Sequence, residues 1–256
     1  MLNFRNTNIF FILLLAVVIG INVNRHVPVL VYPLIIFIYS LIIFYGCYYV
    51  GSNFFIKVIC SARTDKKEIA ISFDDGPAEH TAAILELLKE HDVKAAFFCI
   101  GKRIAGNEEL FRKIYDEGHV IGNHSYSHHF WFDMFSAKKM QDDLAMMDSA
   151  MQTVIAQKPK MFRPPYGVTN PNLKKAIQRG NYIPVGWSLR SMDTVTGKDH
   201  KLLAKARKGI RPGAVFLFHD TSKTTLNILP QFIKEVKDSG YAITALDKML
   251  HLQAYA

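Results

Sequence analysis

The 256-residue chain is long enough for one barrel-sized domain, or for a smaller domain with an appendage. Its hydrophobic content is 50%, high for a soluble protein, and its formal net charge is +9. No basic stripe interleaved with aromatics and no nucleic-acid motif accompanies that charge, which suits a membrane surface or an anionic substrate better than a nucleic-acid partner.

The apolar residues crowd the front. Residues 1–60 contain no Asp or Glu and, of the cations, only Arg5, Arg25 and Lys57, so the remainder holds 28 Lys and Arg against 22 acids. Two apolar stretches, over about 8–23 and 27–50, flank a polar turn at Asn24-Arg25-His26. The second can cross a hydrocarbon layer of about 30 Å as a helix. The first has the length of a signal-peptide core, but no small-x-small cleavage site follows it. Tyr45, Tyr48 and Tyr49 gather at the far end, as interfacial aromatics do. The pattern predicts a transmembrane helical hairpin in 1–58, in contact with membrane lipid, and then a polar linker over 59–66. Arg5, Lys57, Arg63, Lys66 and Lys67 flank the hairpin, against Arg25 alone in its turn. That bias predicts both ends, and the following domain, on the cytoplasmic side; cleavage of the first stretch, or its failure to span, would export the domain. Cys47, Cys60 and Cys99 have no pairing or metal spacing, and Cys99 reads as a small hydrophobe in a buried strand.

From 67 to 256 the chain alternates. Strands are predicted over 68–73, 94–100, 119–123, 160–163, 182–189, 214–219 and 242–246. Helices are predicted over 81–91, 107–117 (capped by Asn107), 136–157, 171–179, 198–208 and 225–239. Met140, Leu144, Met147, Met151 and Val154 recur at helical spacing, a stripe that reads as core packing. Apolar strands alternating with amphipathic helices predict an α/β fold with a parallel sheet, as a barrel or a doubly wound sheet.

The polar residues then fall in a telling place. Asp74, Asp75, His124, Arg163, Asp193 and His219 all lie at or just beyond the C-terminal end of a predicted strand, the ends that share the active face of a parallel barrel. Ser72-Phe73-Asp74-Asp75-Gly76-Pro77 sets two carboxylates at a strand rim. Like charges so close repel, and a cation resolves this by taking one acid as ligand and leaving the other as a proton acceptor. His124 and His128, at i and i+4, point the same way if they sit on a helical turn. With Asp75 they make two imidazoles and one carboxylate with room for a further ligand, a catalytic arrangement that suits zinc best, with cobalt, nickel, iron or manganese also compatible.

Four motifs occur in order: Ser-Phe-Asp-Asp-Gly-Pro, His124-Ser-Tyr-Ser-His128, Arg163-Pro164-Pro165-Tyr166-Gly167 and Leu217-Phe218-His219. Together they resemble the motif set of the NodB-like polysaccharide deacetylases, carbohydrate esterase family 4, over about 67–246. The resemblance implies a distorted (β/α) barrel of about seven parallel strands and a metal-dependent hydrolase that removes N-acetyl groups from an amino sugar in a glycan or glycolipid. It implies Asp75, His124 and His128 as metal ligands, Asp74 as general base and Arg163 as its orienting cation. The Tyr166 N–H would stabilise the oxyanion, and His219, set by Asp193, would be the general acid. Leu217 would line the acetyl pocket, with Pro165 and Trp187 as further walls. Thr194 replaces the family's usual tryptophan, and Arg190 stands where an acid is often found, so the groove wall differs. An O-acetyl esterase, or an inactive metal-holding glycan binder, are the other readings; retention of Asp74 speaks against the latter.

Overall fold

The computed structural model describes residues 2–256. Its strands are β1 Glu68–Asp74, β2 Ala96–Cys99, β3 Val120–Asn123, β4 Met161–Phe162, β5 Ile183–Pro184, β6 Leu189–Arg190, β7 Ala214–His219 and β8 Ala242–Ile243. The helices are α1 Phe4–Asn24, α2 Val31–Tyr48, α3 Thr81–Glu90, α4 Glu108–Asp116, α5 Ala137–Ile155, α6 Pro171–Gly180, α7 Asp199–Lys208, α8 Lys223–Asp238 and α9 Leu246–Leu250. Seven strands follow one path, β5-β4-β3-β2-β1-β7-β6, all parallel, and β8 pairs with the start of β1. The end strands β5 and β6 do not pair, so this is a barrel with an open side, in keeping with the expected fold.

Alternation along β1 explains both faces of the sheet. Ile69, Ile71 and Phe73 point outward, into a core shared with Phe97, Phe216 and Phe218 and with apolar residues of α3, α4, α5, α7 and α8. Each such buried side chain is worth about 1.5–3 kcal/mol. Ala70 points inward with Phe98, Val215, Leu246 and Met249, which fill the barrel's lower end. Ser72 and Asp74, on the same inward face, are left at the upper end. The Met140, Leu144, Met147 and Met151 stripe of α5 is fully buried, as its spacing predicts. Ser136 caps that helix by accepting from the Lys139 N–H. Asn107 holds the corresponding position before α4, yet its side chain donates to the Arg103 carbonyl instead.

One predicted strand divides. The stretch 182–189 forms β5 and β6 on opposite edges of the sheet, because the chain crosses the open side between them. Pro184 has no N–H to donate, and the carbonyls of Val185 and Gly186 accept from Arg163 rather than from a neighbouring strand. At Gly186 a Cβ would lie 2.8 Å from Cys60 Sγ. Residues 59–66 also do more than link: Ile59 bridges to Val185 and Ser61 to Ala214, on the two sides of the opening. Val50, Phe54, Phe55, Ile56 and Val58 are buried with Phe132, Phe135, Leu173 and Tyr182, so 50–58 pack onto the domain.

α1 and α2 lie against each other, with Tyr39 donating to Asn8 Oδ1 at 2.9 Å and the Phe11 ring edge-on to Tyr39. Their outer apolar side chains are bare, with Ile12, Leu13, Val17, Phe37 and Phe44 all more than half exposed. At its lower end α2 is bound to the domain: the Thr169 N–H donates to the Cys47 carbonyl at 3.0 Å and its Oγ1 to the Gly46 carbonyl at 3.2 Å.

Candidate active site

The adjacent acids at the end of β1 diverge. Asp74 ends the strand pointing inward, and Asp75 has a φ of 79°, so the backbone turns and the second carboxylate leaves in another direction. Gly76 makes the turn possible, since a Cβ there would meet Asp220 Oδ2 at 2.1 Å. Asp220 is fully buried and accepts from Thr81 Oγ1 at 2.5 Å; burial pushes its carboxyl up to about 7, with the Asp75 charge adding to the shift.

Arg163 fills the barrel axis and is fully buried. Its Nη1 donates to Asp74 Oδ1 at 2.7 Å and to Ser72 Oγ at 2.8 Å, and Nη2 and Nε take the carbonyls of Gly186 and Val185. Its guanidinium lies 3.9 Å from the Phe98 ring centroid. Burial pulls its pKa down, and Asp74 opposes that.

Asp75, His124 and His128 converge, with one ligand atom from each within 4.8 Å of the others. Asp75 Oδ1 lies 3.6 Å from His124 Nε2 and 3.5 Å from His128 Nε2. The histidines do not sit on a helical turn. They flank an irregular loop after β3 in which Ser125 and His128 have positive φ, 66° and 41°. Side chains replace the helical hydrogen bonds: Asn123 Oδ1 accepts from Ser125 N–H, Asp143 Oδ1 from Tyr126 and Ser127, and Ser125 Oγ from His128 N–H. The donor chemistry fits a divalent metal. His124 Nδ1 lies 2.9 Å from the Arg163 carbonyl, so it carries the proton and leaves Nε2 free for an ion. Burial, then the proximity of His124, lowers His128 to about 4, so its ring is neutral at ordinary pH.

Tyr166 stands in a tight turn with a φ of 58°, and its backbone N–H finds no acceptor among the described residues. Its ring lies 4.7 Å from that of His128. Gly167 (φ +78°) supports the turn, because a Cβ there would come within 2.6 Å of the Trp187 ring. Pro165 is buried in the same turn, and Leu217 projects from β7 on the same face as His219.

On the opposite side, His219 Nδ1 and Asp193 Oδ1 are 2.7 Å apart. Asp193 is nearly saturated: it also accepts from the His219 N–H, Thr225 Oγ1 and Ser191 Oγ. Burial would lower the His219 pKa, but the hydrogen bond and charge of Asp193, with Asp74 and Asp75 beyond, outweigh it and hold it above its usual value. Burial raises Asp193, and its bonds to His219, Thr225 and Ser191 bring it below its usual value. Thr194 sends its backbone N–H to Asp193 Oδ1.

The residues singled out from the sequence thus meet in one place. Ser72, Ser191, Thr225, Asp220 and Arg103, which donates to the Asp75 carbonyl, are additions. Ser72 lies inside the first motif and could have been found by strand alternation; Thr225 carries no local signal.

Known proteins resemble this chain in sequence and fold. A family model described as polysaccharide deacetylase matches residues 61–185. The peptidoglycan-N-acetylmuramic acid deacetylase PdaA of Bacillus subtilis is 30% identical over 221 residues, covering 82% of this chain and 78% of that protein. A peptidoglycan-N-acetylglucosamine deacetylase of Bacillus cereus is 29% identical over 197 residues, 73% of this chain and 72% of the relative. The crystal structure of the Bc1960 peptidoglycan N-acetylglucosamine deacetylase superposes with a TM-score of 0.74 at 29% identity, covering 78% of this chain and 95% of that one. Another similar structure, BA3943 from Bacillus anthracis, is a pseudoenzyme of carbohydrate esterase family 4 (TM-score 0.70, 27% identity, 75% and 68% covered). The fold and site define a metal-dependent carbohydrate deacetylase. The chain belongs to the polysaccharide deacetylase family, carbohydrate esterase family 4.

Proposed function

We propose that this protein hydrolyses the N-acetyl group of an amino sugar held at a membrane, releasing acetate and a free amine. The observation that carries the reading is the register pair Asp74 and His219 on adjacent strands, each with its own charge partner, Arg163 and Asp193. Two titratable groups facing one space, one bound to a cation and one to an anion, suit opposite proton-transfer roles.

Asp75, His124 and His128 would hold the metal, zinc in first preference. When bound, the metal supplies a Lewis acid that polarises the amide carbonyl and lowers the pKa of the attacking water. Asp74 takes that water's proton, and Arg163 fixes the carboxylate in place. The unpaired Tyr166 N–H donates to the developing oxyanion. As the C–N bond breaks, His219 gives its proton to the departing nitrogen, and Asp193 steadies the ring and its charge. Leu217, Pro165 and Trp187 wall the acetyl pocket.

Three of the relatives named above are peptidoglycan deacetylases, of N-acetylglucosamine or N-acetylmuramic acid, which makes those units the first substrates to assay. The α1–α2 pair, apolar and bare, supports a membrane hairpin, and the flanking cations support a cytoplasmic domain, where the sugar would be a lipid-linked precursor rather than finished wall. Mass spectrometry of N-acetylated saccharides and glycolipids incubated with zinc-loaded protein tests the chemistry. A loss of one acetyl per turnover is expected; no deacetylation of any of them would place the chain with the pseudoenzymes. Reporter fusions after residue 60 test the side: alkaline phosphatase activity there would overturn the cytoplasmic placement.

A further inference from the structure

Between the segment that follows α2 and the edge of β6 lies a groove of about 950 Å³. Five cations line it, Lys57, Arg63, Lys66, Arg190 and Arg211, and a single carboxylate, Glu68. Glu68 accepts from Thr244 Oγ1. None of the five cations forms an ion pair among the described residues. So many uncompensated positive charges in one concavity focus a field that only an anion can neutralise.

Two further features say where that anion comes from. Tyr48 and Tyr49, at the end of α2, line the same groove, so one of its borders is the foot of the hairpin. Trp187 lines the groove too, packed in the cluster that holds Val50, and two guanidinium groups approach its ring, Arg190 at 5.7 Å and Arg163 at 5.8 Å. Arg190 is half-buried, and at the end of β6 it pairs in register with Leu217 of the acetyl pocket. The groove therefore borders both the hairpin foot and the Trp187 wall of the candidate active site. Lys205, lowered first by burial and then by Arg190, marks the same concentration of positive charge.

We propose that this groove binds the phosphate ester of a membrane lipid, and that the phosphate is the one joining the substrate saccharide to its lipid anchor. The inference rests on the deacetylase reading and adds the substrate class to it. Arginine forks match phosphate oxygens in pairs, and Arg63, Arg190 and Arg211 offer three of them. The lipid chain would follow α2 into the bilayer while the sugar passes Trp187. Each cation near a membrane phosphate contributes about fivefold in affinity.

Binding can be read without turnover by using a probe with no acetyl group. Calorimetry on the full-length, zinc-loaded protein in neutral detergent at low salt would compare a hexyl glucosyl phosphodiester with hexyl glucoside. The phosphodiester should bind about 20-fold tighter or more, and Arg63→Gln with Arg211→Gln, both exposed positions, should erase most of that margin. Equal affinity of the two probes for the unsubstituted protein would overturn the groove, whatever the outcome of the deacetylation assay. The second arm identifies the source of the phosphate. In nanodiscs, phosphatidylglycerol in place of phosphatidylcholine should leave probe binding in place. Complete displacement by phosphatidylglycerol would assign the groove to bulk headgroups and overturn the substrate assignment.

Discussion

Arg163 Nη1 donates to Asp74 Oδ1 at 2.7 Å inside the barrel, with the arginine fully buried and the aspartate nearly so. A carboxylate taken out of water is tolerated only with a partner this close, and the same guanidinium is anchored by Ser72 and by two carbonyls of the strand crossing. Removing one member of such a pair typically costs about 3–5 kcal/mol. Arg163→Met should therefore both lower the unfolding temperature and reduce kcat by about 100-fold or more. Arg163→Lys should recover part of the stability but little of the rate, because a point charge cannot make four directed bonds. Equal kcat in all three proteins would remove Arg163 from the mechanism.

The divergence of Asp74 and Asp75 predicts two separable losses. Asp74→Asn should retain stoichiometric zinc by atomic absorption while turnover falls about 10²-fold or more, the scale of a missing general base. Asp75→Asn should lose the metal. The opposite pattern would exchange their roles.

The Asp193 contact predicts a shift in pH profile. His219 must be protonated to act as an acid, and its raised pKa keeps it protonated further up the pH scale. The alkaline limb of kcat should therefore lie above the ordinary histidine value. Asp193→Asn removes the main raising influence, so that limb should move to lower pH and the rate at neutral pH should drop. An unmoved limb would separate His219 from the observed titration.

Chelation should abolish turnover, and zinc or cobalt should restore it. The three ligand side chains converge within 4.8 Å, and the neutral state of His128 at ordinary pH leaves it ready to bind. Full activity after exhaustive chelation would contradict the assignment of these three residues.

Met147 and Met151 supply a stability test remote from the chemistry. Both are fully buried beneath the sheet, so Met147→Ala should cost about 2–5 kcal/mol in denaturant unfolding. A change below about 0.5 kcal/mol would show the helix to be loosely packed.

Strand ends were the most readable part of this chain. Apolar runs put Asp74 and His219 at the C-terminal ends of predicted strands, and the family resemblance supplied their partners; that they are register neighbours on β1 and β7 came from the structure. The local shape of the histidine loop was not readable, because spacing at i and i+4 suggests a helix. Here the same convergence comes from two left-handed residues, Ser125 held by Asn123 and His128 held by the Ser125 hydroxyl, with the loop between them held by Asp143, which lies well outside the motif. The division of 182–189 was hidden for a similar reason. Arg163 claims the Val185 and Gly186 carbonyls, a tertiary demand that no local propensity records. Thr225 was invisible because its service to Asp193 depends on the approach of α8.

Thr169, three residues beyond Tyr166, is tied by two hydrogen bonds to the final turn of α2. If that helix crosses a bilayer, as proposed above, the catalytic mouth would have a fixed working height rather than the roaming radius of a tethered enzyme. Sugars standing far out on a long polymer would be out of reach, and those within a headgroup's breadth of the surface would be served repeatedly. Loosening the Thr169 tie with Thr169→Val, together with a longer chain between residues 48 and 50, would convert this short-reach tool into a long-reach one, changing which acetyl groups are removed without touching the chemistry.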